Sequence, residues 1–173
     1  KTAMVVGAGS LGPGMGNGKA SALLMAREGA KVFAVDRNLD AVQETQALIT
    51  AEGGACEVWQ ADATSADDVE KMVAECMERF GHIDVLHNNV GGSAGHGGPL
   101  DMDIETWCEN VLFNVKPAFL ASRNVLPIME RQGGGSIIHT WSISGISVPE
   151  NPMNSYQTGK GALIRFSRGM ALE

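Results

Sequence analysis

The sequence predicts an α/β chain built on a doubly wound parallel sheet with helices on both faces. Short apolar runs alternate with longer stretches of helical periodicity, five times along the chain. The runs are rich in Val, Ile and Leu on consecutive positions, as a strand buried on both faces requires. Glycines stand just past the helical stretches, where a left-handed residue ends a helix.

Taken in order, the strands are read at 3–6, 31–36, 55–60, 83–88 and 136–140. Each is too short and too evenly apolar for a surface helix. The helices are read at 15–28, 40–51, 66–80, 104–131 and from 154 onward, with Pro117 expected to kink the long fourth one. Gly29, Gly53, Gly54 and Gly81 are expected to serve as C-caps. No linker or low-complexity segment interrupts the pattern, so residues 1–173 are read as a single domain.

Composition narrows the function classes. A chain of 173 residues and 18.2 kDa buries roughly 70% of its unfolded surface. With 44% hydrophobic and 19% charged residues it fits neither a disordered protein nor a membrane-spanning one. A net charge of -7 and no Lys/Arg cluster argue against nucleic acid as a partner. Cys56, Cys76 and Cys108 are odd in number and widely spaced, which predicts reduced thiols in the core of a cytoplasmic protein. His82, His87, His96 and His139 lack metal-site spacing, so no metal is expected. Strand-like sequence begins by Ala3, so no signal peptide is expected. Residues 161–173 read as helix without a stop signal, so the chain is expected to finish inside an element, as a truncated domain would.

Glycine carries the most information. The chain holds 22, nearly twice the usual ~7% share. The first cluster, Gly7-Ala-Gly-Ser-Leu-Gly-Pro-Gly-Met-Gly-Asn-Gly18, follows a strand and opens a helix. Gly7, Gly9 and Gly12 satisfy G-x-G-x-x-G, and the second strand ends in Asp36. That is the dinucleotide-binding arrangement: bare backbone N–H groups at a helix N-terminus face a pyrophosphate, and an acid receives the ribose. Asp36 lies 20 residues after Gly16, which places the end of the phosphate turn at Gly14-Met15-Gly16 rather than at Gly12. A carboxylate here accepts ribose hydroxyls and repels a 2′-phosphate, so NAD is preferred over NADP. Arg37 next to it can pair with that phosphate, and this alternative stays open.

The single tyrosine, Tyr156, is followed four residues later by Lys160, which puts both on one helix face. A phenol with an ordinary pKa of ~10 acts as a base near neutrality only if its phenolate is stabilised, and an ammonium one turn away works in that direction.

Together Tyr156-Gln-Thr-Gly-Lys160, Asn88-Asn-Val-Gly91 after the fourth strand, the glycine loop and Ser142 resemble the short-chain dehydrogenase/reductase family, in its simple NAD(P)-dependent oxidoreductase branch. The resemblance implies a Rossmann-type sheet in order 3-2-1-4-5. It implies hydride transfer between nicotinamide and a secondary alcohol or ketone, with Tyr156 as general acid/base, Lys160 on the nicotinamide ribose and Ser142 on the substrate oxygen. Asn114 would hold the water that links Lys160 to solvent. The cofactor would be held by Gly7, Gly9, Ser10, Gly14, Met15, Gly16, Asp36, Arg37, Asp62, Ala63, Asn88, Val90 and Gly91, together with Tyr156 and Lys160. A homodimer or homotetramer would be expected.

Some alternatives stay beside these roles. Asn114 also reads as a helix-interior Asn bonding neighbouring backbone, Asp62 as a helix N-terminal acid, and Ser144 rivals Ser142. Val6 stands where the family usually has Thr, Leu11-Gly-Pro13 looks like an insertion, and His139-Thr-Trp141 replaces small polar residues. The substrate wall is expected from residues 92–99, His96 included, and 143–153. A non-catalytic dinucleotide binder and a dehydratase or epimerase of the extended branch are the rival functions.

Overall fold

A computed structural model of the chain describes residues 1–93, 97–148, 150 and 153–172. Five strands form one parallel sheet: β1 (Thr2–Val6), β2 (Lys31–Asp36), β3 (Cys56–Gln60), β4 (Val85–Asn88) and β5 (Ser136–His139), in the order β3-β2-β1-β4-β5. Five helices alternate with them: α1 (Asn17–Arg27), α2 (Leu39–Ala51), α3 (Ala66–Phe80), α4 (Ile104–Gln132) and α5 (Asn154–Met170). The chain divides into two compact units, Lys1–Asn89 with Leu120–Ile138, and Val90–Phe119 with His139–Glu173.

In the first unit the pleat sorts the core. Val32 and Ala34 of β2 and Val5 of β1 pack with Ala22, Leu23 and Ala26 of α1 and Val42 and Ile49 of α2. Phe33, one residue out of phase, turns to the opposite face and meets Phe80 of α3 edge-on, with ring centroids 6.3 Å apart. Helices therefore cover both faces, and central β1 is buried along its whole length while edge strand β3 is half-exposed. The register pairs Val6 with Val35 and with Asn88, and Asp36 with Gln60. The carboxyl ends of β1, β2, β3 and β4 thus lie level, at the edge where an open α/β sheet binds ligands.

Several boundaries shift for local reasons. α1 starts at Asn17 instead of 15, because the Gly16 N–H donates to Ser10 Oγ at 2.9 Å and Gly16 is extended. β4 starts at Val85 instead of 83, because the Ile83 N–H and C=O bond the Gln132 side chain at 3.1 and 2.8 Å rather than a neighbouring strand. α5 closes at Met170 with Ala171 as its cap, where helix was expected through 173. Gly29, Gly53 and Gly81 have the left-handed φ expected of helix ends. Gly54 does not; a Cβ there would stand 2.8 Å from Ile49 Cγ2, so its glycine serves a close approach. Of the thiols, Cys76 is buried and Cys56 half-buried, but Cys108 is exposed on α4 rather than in the core. Among the described residues, no helix is long and apolar enough to cross a membrane, and no cluster of His, Cys, Asp and Glu could hold a metal ion.

Candidate functional site

Each unit carries one group of the expected site residues. In the first, β1 runs into the glycine loop, and Gly7 and Ala8 both donate to the Val35 carbonyl, at 2.8 and 2.9 Å. Gly7 takes a φ of 84°, which a side chain would resist. The Gly9 N–H donates to Asp36 Oδ2 at 2.9 Å, and Asp36 Oδ1 accepts from the Asn38 N–H at 3.0 Å. A Cβ at Gly9 would stand 2.9 Å from that carboxylate. The loop and the acid are thereby locked together.

Gly18 completes the cradle, because a Cβ there would overlap the Gly7 carbonyl oxygen. α1 can pack down on the loop only with glycine at this position. Asn89 Nδ2 also donates to Gly7 O, at 3.0 Å. Gly12 and Gly14 face open space.

α1 has no side-chain cap and no acid in its first turn, whereas α2 and α3 are capped by Asn38 and Ser65 and carry Asp40, Asp67 and Asp68 there. Its first-turn N–H groups and the positive end of its dipole are not offset by a side chain. Bare backbone, an uncapped helix start and a carboxylate at the end of β2 fit a dinucleotide. Arg37 lines a shallow depression of about 470 Å³ with Asn38, Leu39, Asp40 and Gln60. Asn88 ends β4 and is buried. Asp62 accepts from the Thr64 N–H and hydroxyl, both at 2.8 Å, in the turn that leads into α3, and Ala63 beside it is buried. Asp62 thus lies in the turn before α3 and is not its N-terminal acid, a place taken by Asp67 and Asp68.

The second unit assembles Gly91, Asn114, Tyr156 and Lys160. Lys160 is only 3% exposed, and its Nζ donates to the Thr140 carbonyl at 2.9 Å and lies 5.9 Å from the Tyr156 ring centroid. Burial pulls its pKa down to about 8. A Cβ at Gly91 would stand 2.5 Å from Lys160 Nζ and 2.7 Å from Asn114 Oδ1. This glycine lets the two side chains share one pocket.

Asn114 is almost fully occupied. Its Nδ2 donates to Gly92 O and Asn110 O, each at 2.8 Å, and its Oδ1 accepts from the Gly92 N–H at 3.1 Å. It therefore splices the 91–92 segment to α4 while also making the i−4 backbone bond of an ordinary helix-interior Asn. Ser142 accepts from the Ser144 N–H at 3.2 Å and caps the 3-10 turn Ile143–Gly145, which leaves its hydroxyl proton for another acceptor. That turn meets α5 backbone to backbone, since a Cβ at Gly145 would stand 2.9 Å from Gly161 N. Val90 is half-buried, and Met15 is exposed. His96, assigned to the substrate wall, lies outside the described residues.

Asn89, Gly92, Thr140, Gly145 and Gly159 enter the sequence reading only inside motifs or the expected substrate wall, without roles of their own, and Lys19 does not enter it. Lys19 alone left a signal in the sequence, a cation on the Lys19, Ala22, Leu23, Ala26 stripe that α1 buries.

Fold and residue groups define a Rossmann-type α/β protein with a Tyr–Lys pair on one helix. The chain belongs to the short chain dehydrogenase family, whose sequence profile matches residues 1–173. A structure from Burkholderia xenovorans assigned to the short-chain dehydrogenases/reductases is similar at 41% identity, with a TM-score of 0.96 over 99% of this chain and 65% of that one. A cyclohexanol dehydrogenase from an Acinetobacter species is 30% identical over 173 residues, which is 100% of this chain and 66% of the relative. Among solved relatives, a xylitol dehydrogenase (32% identity, TM-score 0.91, 99% of this chain and 64% of that one) carries NAD+, and a polyketide ketoreductase (28%, 0.91, 99% and 64%) carries NADPH. The chain spans between 61% and 66% of the length of its first curated relatives.

Proposed function

We propose that this protein is an NAD-dependent oxidoreductase that moves a hydride between a nicotinamide and the carbon bearing the oxygen of a secondary alcohol or ketone. The observation that carries the reading is the buried Lys160, held on Thr140 O one helical turn from Tyr156. Names among the relatives, a cyclohexanol dehydrogenase and a xylitol dehydrogenase, support an alcohol substrate.

The residues divide the work. Tyr156 gives its hydroxyl proton to the carbonyl oxygen during reduction and takes it back during oxidation. Lys160, with a pKa of about 8, is mostly protonated at neutral pH, and its charge favours the phenolate. Ser142 donates a hydrogen bond to the same substrate oxygen and keeps its proton. Asn114 fixes the 91–92 segment and keeps an Oδ1 lone pair beside Lys160 for a water. A bound nicotinamide supplies or accepts the hydride. Asp36 Oδ1 and Oδ2, each held by one backbone N–H, retain lone pairs for ribose hydroxyls and oppose a 2′-phosphate.

Calorimetric titration with NADH and NADPH, repeated on Asp36→Ala, tests the cofactor half. NADH should bind more tightly to the wild type, and the substitution should erase the preference. Tyr156→Phe tests the chemistry: NADH affinity should persist while oxidation of cyclic secondary alcohols falls by about 10²–10⁴. Turnover that survives in Tyr156→Phe would remove the tyrosine from the mechanism, and a wild type that binds neither cofactor would remove the oxidoreductase reading.

A further inference from the structure

The ammonium of Lys19 is the one charged group of α1 taken inside the protein. Its side chain is 4% exposed, and its Nζ bonds Glu44 Oε2 at 3.0 Å and reaches the Gly14 carbonyl at 3.5 Å. Glu44 is 69% exposed, so the ion pair is held at the surface and contributes little by itself. Burying a lysine for such a pair alone is unfavourable. The second contact supplies a reason for its position.

Gly14 is the far limb of the loop that joins β1 to α1. Leu11 is 94% exposed, and a Cβ at Gly12 or Gly14 would meet nothing within 4 Å, so packing does not define the backbone there. Two side chains define it instead. Ser10 Oγ donates to Gly14 O at 3.3 Å and accepts from the Gly16 N–H, while Lys19 reaches the same carbonyl from α1. Their common target, the carbonyl oxygen of exposed Gly14, is thereby turned toward the buried Lys19 ammonium. The Gly14–Met15 peptide is trans, so its N–H points the opposite way from that oxygen, out of the loop.

We propose that Lys19 is a positioning residue for the dinucleotide pyrophosphate: by holding the Gly14 carbonyl inward, with Ser10, it turns the Met15 N–H outward to meet a phosphate oxygen. The positive end of α1 lies beside this peptide and adds to the same attraction. Lys19 touches no ligand in this arrangement and acts only through the peptide it orients. The proposal rests on the dinucleotide-binding reading.

The test is calorimetric titration of the whole chain, wild type, Lys19→Met and Glu44→Gln, with NADH, ADP-ribose and adenosine. Lys19→Met should weaken NADH and ADP-ribose alike by about tenfold, with adenosine, which has no pyrophosphate, changed by less than about twofold. Glu44→Gln leaves the ammonium and its reach to Gly14, so its NADH affinity should stay within about twofold of wild type. Unchanged NADH affinity in Lys19→Met overturns the proposal, as does an equal loss on adenosine, which is the mark of a helix staple. A loss in Glu44→Gln as large as that in Lys19→Met assigns the effect to the ion pair and also overturns it. Should Lys19→Met not fold, Lys19→Gln takes its place under the same outcomes. A wild type that binds neither NADH nor ADP-ribose removes the dinucleotide reading and this proposal with it, whereas equal binding by wild type and variant removes this proposal alone.

Discussion

Gly159 of α5 lies against Asn114 of α4 so closely that a Cβ at 159 would stand 2.8 Å from Asn114 Cβ and 3.2 Å from the Val111 carbonyl oxygen. The approach seats Lys160, the next residue, beside Asn114. It also explains a glycine inside a helix, where on an exposed face alanine would be favoured by about 1 kcal/mol. Gly159→Ala should instead destabilise by about 1–3 kcal/mol, because backbone and Cβ atoms on α4 have no rotamer with which to move aside. Urea unfolding of the variant decides between the two, and a gain in stability would mean that the helices separate at no cost.

The buried Lys160 makes stability depend on pH in a particular direction. Its pKa falls from 10.5 to about 8 on folding, so between those values the unfolded chain binds more protons than the folded one, and stability rises with pH. Below pH 8 both states are protonated and the full burial cost is present. Cys56 and Cys76, whose thiols burial raises to about 12, act in the opposite sense above pH 9, so the comparison must be with Lys160→Met, in which they cancel. From pH 8 to 9.5 the wild type should gain about 2 kcal/mol relative to Lys160→Met. Denaturant midpoints at the two pH values measure this, and parallel curves would show that the amine is not held in the desolvated place described.

Two glycines of the same cluster, Gly12 in the loop and Gly18 in the first turn of α1, should respond oppositely to alanine. At Gly18 the new Cβ would overlap the Gly7 carbonyl oxygen. α1 must then move off the loop, at about 3 kcal/mol or more. At Gly12 nothing lies within 4 Å, and φ is not in the left-handed region. Gly12→Ala should change stability by less than about 1 kcal/mol, in the stabilising direction, through the entropy of the unfolded chain. Thermal unfolding of the pair, read side by side, gives the contrast.

α5 begins without a side-chain cap at Met153. Its first turn is tied instead by Trp107 Nε1, which donates to Asn154 Oδ1 at 3.1 Å, and by the bridge between Gly97 and Met153. Trp107→Phe and Asn154→Ala should each lower stability, and in a double-mutant cycle the two should show a coupling of about 1 kcal/mol. Additive losses would mean that the bond contributes nothing.

Features set by a single stretch of chain are legible in the sequence. The bounds of α3 follow from an amphipathic stripe, a Ser65 cap that accepts from the Asp68 N–H, and Gly81 in the left-handed conformation, all within one stretch of chain. The approach of Asp36 to the glycine loop was legible because the dinucleotide spacing is itself a local pattern. Cys108 was misplaced because a thiol carries no sign of which side of α4 it is on. Gln132 taking over the backbone of Ile83 could not be foreseen, since the two lie 49 residues apart and neither is unusual alone.

The amino-acid sequence by itself determined the alternation of strands and helices, the glycine loop, the acid that ends β2 and the spacing of Tyr156 to Lys160. Each follows from backbone conformation, periodicity or the reach of a single helical turn. Only the tertiary structure decided that Lys160 is buried on Thr140, that Asn114 is spent on Gly92, that glycine is required at 18, 145 and 159, and that the buried Lys19 ammonium reaches the Gly14 carbonyl. These are contacts between atoms far apart along the chain, and their strength comes from exclusion of water and of volume, which exist only once the elements have packed.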